Sequence, residues 1–142
     1  MTTPADEIRT VIDRLAQATA AKNAAAVTAS YGPAPVVFSL APPLQAPEDS
    51  DGEGLQSWFD TWTGPIGYDL GPLSVAADGD VAFAHGLAHM TGTKVDGETP
   101  DLWFRATYGL RRIAGAWKVV HEHHSTPFYM DGSFKAAVDL KP

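Results

Sequence analysis

Five histidines hold most of the chemistry open to this chain: His85, His89, His121, His123 and His124. Histidine changes charge near neutral pH, so it can both take and give a proton there. Tyr108 lies between the two histidine groups, and a tyrosine hydroxyl can donate to a developing oxyanion. There is no cysteine, which removes disulfides, thiolate metal sites and a cysteine nucleophile. The candidate chemistry is therefore proton transfer by histidine and tyrosine, and its feasibility depends on which side chains share a face.

Short reversals set that. If Ala114-Gly115 are the two central residues of a hairpin turn, Tyr108 faces His121 and Leu110 faces Val119. If Asp96-Gly97 play the same part, His85 faces Tyr108 and His89 faces Phe104. One face then carries Phe83, His85, Leu87 and His89; Phe104, Ala106, Tyr108 and Leu110; and Trp117, Val119, His121, His123 and Ser125. Its Phe83 end is apolar and its other end is rich in histidine, as in a small-molecule pocket. The opposite face, with Ala82, Ala84, Ala88, Arg105, Glu122 and His124, should look to solvent or a partner. Arg105 and Glu122 there are placed for an ion pair.

On this reading His85, Tyr108 and His121 form one row and are the catalytic candidates, with a histidine as base and Tyr108 as electrophile. The outer two of that row sit roughly 10 Å apart, a gap suited to a ligand. His89, His123, Phe104, Phe83 and Leu87 line the pocket, with Trp58 and Trp62 near its mouth. His121 and His123 point the same way on a strand and could share a metal. With no carboxylate on that face, no metal site is assigned and no cofactor is expected.

The elements that position these residues follow from periodicity. Thr3 caps a helix with Pro4 at its first position, and Ile8, Val11, Ile12, Leu15 and Thr19 make one apolar stripe up to about Lys22. A second helix, about Ala24 to Tyr31, stops at Gly32-Pro33. A strand at Val36–Leu40 leads into a Pro-rich, acidic loop, and Leu55, Trp58, Phe59 and Trp62 mark a third helix over 54–63. Strands follow to Ser125, with a further hairpin turn at Asp78-Gly79. The order predicts one α+β domain over 1–142: helices in 1–32, a curved antiparallel sheet over 36–125, and a C-terminal tail over 126–142.

The net charge of −7 opposes binding to nucleic acid. No segment reads as a signal peptide or a membrane span, so a cytoplasmic protein is expected.

The run Phe104-Arg105-Ala106-Thr107-Tyr108-Gly109-Leu110-Arg111-Arg112, a glycine turn, and Trp117-Lys118-Val119-Val120-His121-Glu122-His123-His124-Ser125 resembles a known C-terminal hairpin. It is that of the SnoaL-like, ketosteroid-isomerase-like family of the nuclear-transport-factor-2-like superfamily. The tail Pro127-Phe128-Tyr129-Met130-Asp131-Gly132 resembles that of one bacterial subgroup of unassigned activity. The resemblance implies a cone-shaped sheet wrapped around three helices, a pocket inside the cone and a homodimer packed through the sheet. Family members include isomerases, polyketide cyclases, dehydratases, epoxide hydrolases and non-catalytic binding domains. The isomerases use a tyrosine on the first helix and two pocket acids, and neither feature falls on the inner face read here. Three functions stay open: a cofactor-independent enzyme acting on a small apolar or carbonyl-bearing molecule, a non-catalytic binding or accessory protein with the same pocket, or a dimeric scaffold with a filled cone. The first two are favoured because histidines are costly to bury without partners.

Overall fold

The computed structural model describes residues 2–142. Helix α1 spans Pro4–Ala20. Thr3 caps it: the Asp6 amide donates to the Thr3 hydroxyl and the Thr3 amide to the Asp6 carboxylate. That backbone hydrogen bond from Thr3 is the main cause of a lowered Asp6 pKa. Ile8, Ile12 and Leu15 of the apolar stripe are buried. Helix α2 spans Ala24–Ala29 behind an Asn23 cap, and α3 spans Glu53–Phe59.

The strands are β1 (Tyr31–Phe38), β2 (Trp62–Leu70), β3 (Ser74–Asp78), β4 (Val81–Lys94), β5 (Asp101–Ile113) and β6 (Ala116–Ser125). They form one curved, unclosed sheet in the order β1-β6-β5-β4-β2, with β3 also on β4. All pairs are antiparallel except β1 with β6. β1 begins earlier than expected because the chain leaves α2 directly into pairing: the Val119 amide donates to the Ser30 carbonyl at 2.9 Å. The third helix is shorter than expected, since Trp62 opens β2 opposite Lys94. The hairpin turn near Asp78 is centred on Gly79-Asp80, because Asp78 pairs with Val81.

The helices cover the concave face. Ile8, Ile12, Leu15, Val27 and Phe59 pack there against Ile66, Ala84, Leu110 and Val119.

Two registers differ from those read in the sequence, each by one residue. The β4–β5 loop has three residues, Val95-Asp96-Gly97. The Lys94 amide donates to the Glu98 carbonyl at 2.7 Å, and the Gly97 amide donates to the Lys94 carbonyl at 2.9 Å. Gly97 has φ 92°, the glycine position of a three-residue hairpin loop. Ala84 therefore faces Tyr108 and Ala88 faces Phe104. Between β5 and β6, the Ala114-Gly115 turn is as expected, with Ile113 opposite Ala116 and Leu110 opposite Val119. A β-bulge at Val120 then shifts the pairing, so Gly109 faces His121 and Tyr108 faces Glu122.

A strand has a side-chain period of two, so each shift exchanges faces. Phe83, His85, Leu87 and His89 lie on the convex outer face, as do His121 and His123. Ala82, Ala84, Ala88, Glu122 and His124 lie inside. The expected row His85–Tyr108–His121 is not formed. Of its members, only Tyr108 points into the cone, and it is 1% exposed.

Candidate functional site

The inner face carries one polar cluster, built around Glu122. This is the buried charged residue of the core, 8% exposed. The Tyr31 hydroxyl donates to Glu122 Oε2 at 2.9 Å. His124, two residues along β6 and so on the same face, places Nε2 3.5 Å from Glu122 Oε1. That nitrogen is buried and has no hydrogen-bond partner. The His124 ring packs 4.9 Å from the Phe104 ring and 6.2 Å from the Tyr108 ring. Tyr68, on β2, lies 5.9 Å from Phe104, and its hydroxyl interacts with that of Tyr108.

Each member is placed by its strand. Tyr31 opens β1 opposite Val119, so it shares the inner face with Glu122. Tyr68 stands opposite Met90, and Tyr108 opposite both Ala84 and Glu122. The small residues Ala84 and Ala88 on β4 leave room for the aromatic rings of β5.

Burial pushes all three tyrosine hydroxyls well above the usual tyrosine range. The Glu122 charge adds to this at Tyr31 and Tyr68, and Tyr68 and then Glu122 add to it at Tyr108. The phenols thus stay protonated and act as donors. Glu122 accepts from Tyr31, and its other oxygen lies beside the His124 imidazole without a hydrogen bond to it. A carboxylate–imidazole pair flanked by phenols is equipped for proton transfer.

The cluster meets solvent at His124. A cleft of about 720 Å³ opens there, between the end of β6 and the loop after β1, lined by Phe38, the 39–45 segment, His123 and His124. Leu44 of that segment is 99% exposed.

The residues read as a site from sequence divide accordingly. Tyr108 and Phe104 belong to the cluster. His121 is outside, where its Nδ1 lies 2.7 Å from the Val36 carbonyl oxygen and its ring meets Phe38 edge-on. His123 is outside too but reaches the cleft rim. His85 is exposed and stacks on Phe83, which is 53% exposed, while Leu87 is 41% exposed. His89 stacks on Trp103 and pairs with Asp101 at 2.6 Å. Trp62 is buried in the core and Trp58 is half-exposed beside it; Lys94 sits over both rings. Neither lines the cleft. Arg105 bonds Ser125 on the outer face and makes no pair with Glu122.

Glu122, His124, Tyr31 and Tyr68 were not read as site residues. The usable signal was the alternation in His121-Glu122-His123-His124, where the pair with a carboxylate is the one that needs a polar interior partner. Among the described residues, no group of three or more His, Cys, Asp or Glu side chains is placed to hold a metal ion.

The architecture is that of the nuclear-transport-factor-2-like proteins. An NTF2-like protein of unknown function from Pseudomonas putida KT2440 superposes with a TM-score of 0.85 at 35% identity over 100% of both chains. A nuclear transport factor 2-like superfamily protein from Salmonella enterica matches with a TM-score of 0.76 at 19% identity, over 89% of this chain and 93% of the other. A ketosteroid isomerase-like protein from Erwinia carotovora atroseptica matches with a TM-score of 0.69 at 22% identity, over 84% and 92%. These last two likenesses show the fold alone. The family model described as the SnoaL-like domain matches residues 8–129, and the chain belongs to that family. No curated protein matches the sequence significantly. No helix among the described residues is long and apolar enough to cross a membrane.

Proposed function

We propose that this chain is a small-molecule-binding domain that moves a proton on a neutral, carbonyl-bearing ligand without a bound cofactor. The observation that carries the reading is the Tyr31–Glu122–His124 set around the buried Glu122 carboxylate, whose His124 lines the cleft. In this reading His124 exchanges the proton, the Glu122 carboxylate beside it stabilises the imidazolium that forms, and the phenols of Tyr68 and Tyr108 donate to oxygen as negative charge grows on it. The pocket acid sought from sequence is thus Glu122, on β6, and the tyrosines come from the sheet. Isomerisation, cyclisation and dehydration all begin with such a transfer. Nucleic acid is an unfavourable partner for a chain of net charge −7, and a cytoplasmic setting agrees with the absence of cysteine.

The test is hydrogen–deuterium exchange at carbon next to the carbonyl of a panel of enolisable ketones, followed by NMR in deuterated buffer. Wild-type protein should accelerate exchange for some member. His124→Gln and Glu122→Gln should each lower that rate by about a hundredfold or more. Equal exchange with all three proteins defeats the catalytic reading.

A specific observation favours the alternative of a binding or accessory protein. Tyr108 is 1% exposed, so a ligand reaching it would have to displace packed side chains. Binding by a panel member without exchange would support that alternative.

The proposal includes a homodimer through the outer face of the sheet. Its support is apolar exposure there: Val81 is 54% exposed, alongside Phe83 and Leu87.

A further inference from the structure

The two register shifts that leave His124 inside place the other four histidines outside. His85 and His89 on β4 and His121 and His123 on β6 all point from the convex face. Between them lie Phe83, Leu87, Trp103 and Thr107, with Val36 and Phe38 continuing the face on β1. Two of the histidines have polar partners: His89 with Asp101 and His121 with the Val36 carbonyl. His85 makes a ring contact with Phe83, and His123 makes ring contacts with Phe38 and His121.

The fixed charges of this face cancel. Asp69 stands opposite His89, Asp78 opposite Val81, and Asp101 opposite Thr91. Against these acids are Arg105 opposite Leu87 and Ser125, Arg111 opposite Val81, and Lys118 opposite Arg111. With neutral histidines the strands' outer face has no net charge, although the chain carries −7. Two copies repel across the rest of their surfaces, and this face of zero net charge with exposed apolar residues is where that repulsion vanishes. Its fitting occupant is a second copy of the chain.

We infer that the dimer formed through this face is held only while His85, His89, His121 and His123 are neutral, and opens when they protonate. This rests on the dimer proposed above and adds the control of it. Protonation would take this face of each copy from no net charge to +4, with Asp69 and Asp101 next to His89 and Arg105, Arg111 and Lys118 elsewhere on it. Packed sheets lie about 10 Å apart, close to the screening length at physiological salt, so the charges of one copy act on the other. Histidine is the side chain whose charge changes between about pH 5 and 8, so acidification through that range is the trigger.

The experiment is sedimentation of the full chain at about pH 8 and about pH 5.5, with circular dichroism at each pH. The expected result is a dimer at the higher pH, and a dissociation constant at least about tenfold larger at the lower pH with unchanged secondary structure. The variant His85→Gln/His123→Gln should lose half or more of that shift. If the double variant dimerises weakly at the higher pH, His85→Gln alone provides the same comparison. Equal dimerisation of wild type at both pH values overturns the inference and leaves the dimer standing. So does a variant that dissociates in acid as wild type does. A monomer at pH 8 removes the dimer itself, and this control with it.

Discussion

Glu122 Oε1 lies 3.5 Å from His124 Nε2 because a single bulge at Val120 turns both residues into the cone. Without that extra residue, His121 and His123 would face inward and Glu122 and His124 would face solvent. The candidate site therefore depends on a backbone irregularity, and its stability can be probed through the residues that hold Glu122 in place.

Tyr31→Phe removes the hydrogen bond to Glu122 Oε2 and leaves a buried carboxylate oxygen short of a donor. Urea unfolding should show a loss of about 1–3 kcal/mol, the usual cost of such a group. A loss too small to measure would mean that Glu122 finds water or another donor, and that the cluster is looser than described.

Alkaline pH should unfold the protein through the same cluster. Tyr31, Tyr68 and Tyr108 have raised folded-state pKa values, chiefly from burial. A free tyrosine ionises near about 10, so above that pH the unfolded chain releases protons that the folded chain keeps. Stability from these groups is complete below about pH 10 and falls as pH rises beyond it, by up to about 1.4 kcal/mol per pH unit for each tyrosine. Urea midpoints between about pH 8 and 11 measure this, and Tyr31→Phe should flatten the slope.

Ala84→Leu tests the β4 register. Ala84 is fully buried opposite Tyr108. Added methylenes there should cost about 1–3 kcal/mol by crowding the ring. With a two-residue turn at Asp96-Gly97, position 84 would lie outside and the change would be tolerated, so an unchanged midpoint contradicts the register.

Gly92→Ala tests how Trp62 enters the core. A Cβ at position 92 would sit 2.8 Å from Trp62 Cζ3, and the glycine has φ 150°, where other residues are strained. The substitution should lower the unfolding temperature and shift tryptophan fluorescence to longer wavelength as the ring is displaced. An unaltered spectrum and midpoint would show that the ring moves aside freely.

The sequence alone determined the first helix, the number and order of the other helices and strands, and the inner face of β5. Apolar steps of three and four placed Ile8, Ile12 and Leu15 on the core, and Phe104, Ala106, Tyr108 and Leu110 alternate as a half-buried strand must. The turn at Ala114-Gly115 was also legible from Gly115, whose φ of 80° suits glycine; Ala114 takes a positive φ of 50° as well. What only the tertiary structure decided was which side of the sheet the histidines occupy. Val95-Asp96-Gly97 reads equally well as a two- or a three-residue loop, and the bulge at Val120 carries no residue signature. The decision came from packing: Ala84 and Ala88 leave room inside for Tyr108 and Phe104, whereas Phe83 and Leu87 there would crowd them. Because side chains alternate with period two, two slips of one residue each were enough to move four histidines out and to bring Glu122 and His124 in.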